Sequence, residues 1–303
     1  MNRPQHADER PTPRTTRPPR TQGRAAELVV VTGASTGIGR ATAKRLAADG
    51  FHVLAGVRRQ VDADRLAAEN VEPVILDITS EAHVAALAER VARDPGGRPL
   101  RAVVNNAGIA VNAAVEALAL TEWRRQFEVG VFGQIAVIQA LLPALHAHGG
   151  RIVNIGSVGG KVAMPSFGPY AAAKFAMEAV SDALRREVEE FGVRVVVVVP
   201  GAVRTAMNES GVATATRLAE AMTPDQHVRY DKLTTAFLGQ IEAFGKDGVE
   251  PESAAAVVSR AITARKPRTR YTVGRDAAVL VRLVRFMPDR LLDRVLRRQM
   301  KLG

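Results

Sequence analysis

The 303-residue chain contains no cysteine. Disulfides, thiolate nucleophiles and cysteine metal ligands are therefore excluded, and the composition suits a reducing compartment such as the cytoplasm. The six histidines, at positions 6, 52, 83, 146, 148 and 227, show no ligand spacing. His146 and His148 are two apart and would point away from one another on a helix, so no metal is expected. Aromatic residues are sparse and none falls in the first 24. A nucleic-acid surface needs basic side chains interleaved with aromatics on a folded face, so no nucleic-acid partner is expected despite a net charge of +11. No run reaches the roughly eighteen apolar residues of a membrane span. The N-terminus lacks the apolar segment of a secretory signal. No Gly-Lys-Ser/Thr closes a glycine-rich loop, which excludes a Walker A site.

The positive charge sits at the two ends. Residues 1–24 hold six arginines against Asp8 and Glu9, and residues 265–303 hold twelve basic side chains against three acidic ones. Residues 25–264 are close to neutral, with 24 basic and 26 acidic side chains. Three regions are predicted: a disordered basic tail over 1–26, a catalytic body over 27–275, and a basic amphipathic extension over 276–303. In the extension, Val279, Leu283, Val284 and Phe286 carry an apolar pattern up to Pro288, which breaks the helix. Leu291, Leu292, Val295 and Leu296 then recur opposite Arg290, Arg294, Arg297 and Arg298. That face would either pack on the body or a second subunit, or lie on an anionic membrane.

The body alternates short apolar runs with helical stretches, the pattern of an α/β fold with a doubly wound parallel sheet covered on both faces. The runs predict strands at 28–32, 52–57, 72–76, 101–104, 151–156, 193–199 and 270–273. Long helices are predicted at 81–93, 122–148 and 168–191. The β-branched run Val195–Val199 fits a strand buried on both sides.

Two motifs carry chemistry. The first strand feeds Thr32-Gly33-Ala34-Ser35-Thr36-Gly37-Ile38-Gly39, and a helix follows. Glycines so spaced allow a tight turn and close approach of a pyrophosphate to the helix N-terminus. Further on, Tyr170 and Lys174 lie at i and i+4 on a helix, sharing one face, with Ser157 thirteen residues before the tyrosine. Alone, Tyr-x-x-x-Lys is a common accident. With a dinucleotide turn it reads as a proton-transfer site, in which the ammonium favours the phenolate and the serine hydroxyl holds a substrate oxygen.

With these motifs, Asn105-Asn106-Ala107-Gly108 and Pro200-Gly201, the chain resembles the short-chain dehydrogenase/reductase family from about residue 27 to residue 205. The wording Gly56-Val57-Arg58-Arg59, Tyr271-Thr272-Val273-Gly274 and Pro288-Asp289-Arg290 is similar to its hydroxysteroid and retinol dehydrogenase branch. The resemblance implies a Rossmann-like domain, a homo-oligomer, and Ser157, Tyr170 and Lys174 as the catalytic residues. It places the cofactor against Gly33, Ser35, Thr36, Gly37, Ile38, Gly39, Asp77, Ile78, Asn106, Ala107, Gly108, Pro200, Gly201, Val203 and Thr205, besides Tyr170 and Lys174. Asp77 would meet the adenine edge or cap the next helix. Relatives that prefer NAD end the second strand on an acid; here Val57 is followed by Arg58 and Arg59. A guanidinium takes a 2′-phosphate bidentately, so NADP is expected, with NAD the second option and solvated loop arginines the plain alternative.

One departure stands out. Where the family carries an asparagine whose side chain braces a helix kink, this chain has Gly130, which loses the brace. The expected function is NADP-dependent interconversion of a hydrophobic alcohol and its ketone or aldehyde, steroid-, retinol- or lipid-like. The alternatives are a 3-oxoacyl-thioester reductase and a cofactor-binding sensor or scaffold that has lost catalysis. Apolar residues within 206–250 would form a lid over the substrate or fill the core.

Overall fold

The computed structural model describes residues 27–301; the basic tail expected over 1–26 lies outside the described residues. Seven strands run in parallel: β1 Leu28–Val31, β2 His52–Val57, β3 Val71–Ile75, β4 Leu100–Asn105, β5 Arg151–Ile155, β6 Arg194–Pro200 and β7 Arg270–Val273. Their order is β3-β2-β1-β4-β5-β6-β7. The order reverses direction between β1 and β4, which opens a crevice at the carboxyl ends where such sheets take ligands. Helices connect them: α1 Gly37–Ala48, α2 Gln60–Leu66, α3 Glu81–Ala92, α4 Leu120–Phe127, α5 Gly133–His146, α6 Gly168–Glu187, α7 Ala206–Glu220, α8 Pro224–Asp247, α9 Pro251–Thr263, α10 Arg275–Val284 and α11 Asp289–Gln299.

Strand alternation divides the core in two. Val29 and Val31 of β1 pack with Ala43 and Leu46 of α1 and Val258 and Ile262 of α9. Leu28 and Val30 point to the other face, onto Val84 of α3, Leu141 of α5 and Met177 of α6. Burial on both faces explains why the strands read as unbroken apolar runs. Arg151 is a buried exception. Its guanidinium donates to the carbonyls of Ala261, Ile262 and Ala264, closing the C-terminus of α9, and burial lowers its pKa to about 10.

The predicted helix over 122–148 is interrupted. Glu128–Phe132 forms a π turn between α4 and α5, a wider coil that side-chain periodicity does not announce. Taken together, Leu120–His146 is 27 residues long and apolar enough to cross a membrane by length and composition, although no unbroken apolar run in it reaches eighteen residues. Its inner face, with Val137, Ile138, Leu141 and Leu145, is built into the core. Between α7 and α8, Thr223 and Gln226 form a reciprocal capping box that starts the second helix.

Candidate active site

The glycine-rich turn is shaped by close approach. Gly33 has φ 64°, and a Cβ there would fall 2.7 Å from the Ala107 Cα. At Gly39 a Cβ would meet the Gly33 carbonyl oxygen at 2.3 Å and the Asn106 Nδ2 at 2.4 Å. Asn106 Nδ2 donates to the carbonyls of Thr32 and Gly33, and the N–H groups of Asn106 and Ala107 donate to Thr32 Oγ1. Loop and turn thus form one rigid cradle. Thr36, at the N-cap of α1, makes no side-chain capping bond, and the first turn carries no acid. Its N–H groups are left for an anion, so the residues fit a pyrophosphate. Thr205 begins α7 across the mouth, its Cγ2 only 3.0 Å from a Cβ built on Gly37.

Beside the turn, Ser35, Thr36, Arg40, Arg59, Asp62 and Arg65 line a basin of about 160 Å³. Arg59 is held by Asp62 through bonds of 2.7 and 2.9 Å. Arg58, picked out in the sequence, is exposed and lies toward Asp77, whose carboxylate it helps to stabilise. Arg40 and Arg65 carried no signal in the strand-end motif, because they belong to α1 and α2. Asp77 accepts from the Thr79 N–H and hydroxyl at 3.0 and 2.7 Å, which holds its pKa below the usual value. The cap of α3 is Ser80 rather than Asp77. Ile78 turns both its side chain and its carbonyl toward Gly133 and is buried.

Ser157, Tyr170 and Lys174 converge at the ends of β5 and α6. The Ser157 side chain hydrogen-bonds with Tyr170 and accepts from the Gly159 N–H at 3.0 Å. Lys174 Nζ donates to the Ile155 carbonyl at 2.7 Å and stands 5.8 Å from the Tyr170 ring centre. Both residues keep part of their surface in the cleft while their titrating ends lie deep. Burial raises the tyrosine pKa, against the Ser157 hydrogen bond that lowers it, and brings the lysine down to about 8. The expected depression of the tyrosine by its lysine is not seen here: at Tyr170 desolvation outweighs the hydrogen bond from Ser157.

Gly130 occupies the π turn, and the missing brace has a replacement one helical turn earlier. Gln126 is 1% exposed; its Oε1 accepts from the Val111 N–H at 2.8 Å and its Nε2 donates to the Ile109 carbonyl at 3.2 Å. Gln134, equally deep, donates to the Ala107 carbonyl at 3.1 Å. Two glutamines thus pin the loop that follows β4. Neither belongs to a motif, and only the folded contact reveals them.

On the far side, Pro200 ends β6 and Gly201 N–H donates to the Val273 carbonyl at 3.1 Å. Val203 pairs with Val249, and its carbonyl accepts from Asn208 Nδ2 at 3.1 Å. The apolar residues of 206–250 divide between roles. Phe237 and Ile241 are buried with Ala215 and with Met300 beyond α11, and Leu218 packs on Val111 and Leu118. Met207 stays partly exposed, with its Cε 3.9 Å from a Cβ built on Gly108.

A family model described as short chain dehydrogenase matches residues 27–216. The NADPH-dependent 3-dehydrocapnine reductase of Ornithobacterium rhinotracheale is 30% identical over 280 residues, covering 90% of this chain and 96% of the relative. Retinol dehydrogenase 5 of Mus musculus is 35% identical over 278 residues, covering 89% and 87%. A solved short-chain dehydrogenase from Streptomyces avermitilis shares the fold with a TM-score of 0.71 at 29% identity, over 92% of this chain and 96% of that one. A cradle that fits a dinucleotide stands beside a serine, tyrosine and lysine suited to proton transfer. The chain is a nicotinamide-dependent oxidoreductase of the short-chain dehydrogenase family, near its retinol dehydrogenase branch.

Proposed function

We propose that this protein interconverts a hydrophobic alcohol and its ketone or aldehyde with NADP(H). The observation that carries the cofactor preference is the basin of Arg40, Arg59 and Arg65, at the end of a strand that has no acid. Guanidinium groups converging there suit a 2′-phosphate. The bound dinucleotide supplies hydride chemistry, and the chain supplies position and the proton. Tyr170 gives or takes the proton at its hydroxyl, Ser157 hydrogen-bonds the substrate oxygen, and Lys174 lends positive charge and a donor at the cofactor ribose. The names of the relatives, a retinol dehydrogenase and an NADPH-dependent reductase, support an apolar substrate and this cofactor. The Gln126 brace speaks against lost catalysis. The test is NADPH oxidation with aliphatic, retinoid and steroid carbonyls and acetoacetyl-coenzyme A. Preference for the thioester would favour the 3-oxoacyl reductase, and no turnover of any would favour the sensor.

Membrane contact and assembly belong to the same reading. Val279, Leu283 and Phe286, spaced i, i+4 and i+7, are exposed on α10 and just beyond it, Phe286 by 82%. Arg282, Arg285 and Arg290 accompany them, also exposed. This apolar stripe among cations is complementary to an anionic lipid surface, and would place the enzyme at the membrane as a peripheral protein. Phe132 and Phe175, exposed on the neighbouring π turn and α6, would supply apolar surface for a homo-oligomer.

A further inference from the structure

A crevice separates the loop after β4 from α7 and α8. Among its walls are Asn112, Ser166, Ala215, Leu218, Met222 and Phe237. Its enclosed space is about 10 Å³, room for one group of roughly hydroxyl size. Two features mark it as a binding site. Asn112 is 2% exposed, yet its Oδ1 has no hydrogen-bond partner. Buried amide oxygens are nearly always paired, so an orphan in the wall of a cavity calls for a donor from outside the chain. Ser166, also buried, is held at φ 67° in the left-handed region, a strain that recurs at ligand sites.

The crevice adjoins the reaction site. Ser166 is followed by Phe167, whose ring lies 5.0 Å from that of Phe237 and 6.5 Å from that of Tyr170. The Phe167 ring thus stands between the crevice wall at Phe237 and the catalytic tyrosine. The roof is tied from outside: Tyr230 Oη donates to Glu116 at 2.7 Å, Arg229 pairs with the same carboxylate, and Arg217 bonds Glu122 at 3.1 Å. The first two links hold α8 against the loop, and the third holds α7 against α4.

We propose that this crevice is the distal substrate subsite. Asn112 accepts a hydrogen bond from a hydroxyl or amide N–H at the end of the substrate opposite its carbonyl. The substrate class is thereby an apolar carbonyl compound with one remote hydrogen-bond donor. This rests on the reading of the protein as a carbonyl reductase.

The experiment compares straight-chain aldehydes of graded length with their ω-hydroxy counterparts, using NADPH and the full chain. At one length the wild type should favour the hydroxy compound by about ten-fold or more in kcat/KM, the worth of one well-placed hydrogen bond. Asn112→Leu should remove that preference while still reducing the plain aldehyde, and Asn112→Asp, which keeps an acceptor, should retain it. Equal rates for both compounds at every length, or an undiminished preference in Asn112→Leu, would overturn the proposal. If no aldehyde is reduced, the carbonyl-reductase reading has failed, and binding decides the subsite. In thermal shift with NADP, the matching α,ω-diol should raise Tm above the mono-alcohol in the wild type and not in Asn112→Leu; equal shifts would overturn it.

Discussion

A Cβ carbon on Gly130 would stand 3.0 Å from Nε2 of Gln126 and 3.2 Å from Cβ of Ala173. The glycine and the glutamine therefore share one space: the absent side chain makes room for the carboxamide that holds the Ile109–Val111 loop. An asparagine at 130, which the sequence alone would count as a restored brace, has to displace Gln126. Gly130→Asn should destabilise the protein by about 1–3 kcal/mol through overpacking. Gln126→Ala should lower kcat by loosening the loop. In the Gln126→Ala background Gly130→Asn should cost about 1 kcal/mol less than alone, a coupling that urea denaturation in a double-mutant cycle will read. Additive losses would mean that the two positions act separately.

Tyr170→Phe keeps the ring and removes the transferable proton. Its kcat should fall by about 10²–10⁴-fold with NADPH affinity nearly unchanged. Ser157→Ala should also lower kcat, since the substrate oxygen loses a donor. Steady-state kinetics and fluorescence titration of NADPH separate the two effects, and a tyrosine variant retaining most of kcat would falsify the assignment.

The basin beside the glycine turn predicts cofactor choice. Arg40→Ala, Arg58→Ala and Arg59→Ala should each weaken NADPH by about 1.5–3 kcal/mol, the worth of a hydrogen bond to a charged group, and leave NADH almost unaffected. Arg59→Ala should also free Asp62, adding repulsion of the 2′-phosphate. Equal losses for both cofactors would remove these side chains from phosphate recognition.

Lys174 should leave a mark on stability. Its pKa falls from 10.5 to about 8 on folding because its ammonium is desolvated. Between those pH values the unfolded chain holds more protons at this site than the folded one, so stability rises with pH there. Below about pH 8 the folded protein bears the full cost of the buried charge. Lys174→Met lacks this term. The difference in Tm, wild type minus variant, should therefore increase from pH 8 to pH 10 in the absence of cofactor, and a flat difference would contradict the burial.

The exposed stripe on α10 predicts membrane attachment. Sedimentation with anionic phosphatidylglycerol vesicles should carry the full chain down at low salt and release it at high salt. Leu283→Ser with Phe286→Ser should abolish binding without lowering Tm, since both side chains are exposed. If the double variant instead changes only the sedimentation coefficient of the free protein, the stripe seats a second copy of the chain.

The sequence by itself determined the sheet. Apolar runs such as Val195–Val199 lie where strands form, because a strand buried on both faces has no polar position to disguise it. It also singled out the glycine turn and the serine, tyrosine and lysine, since the proposed chemistry needs particular residue types at fixed spacing. The tertiary structure decided what depends on distance between remote segments. Gln126 reaches a loop fifteen residues earlier, and Arg40 and Arg65 line one basin from different helices. The π turn at Gly130, the orphan carboxamide of Asn112 and the opposed shifts of Tyr170 and Lys174 likewise follow from packing and desolvation. Those quantities belong to a side chain's surroundings, which no local pattern encodes.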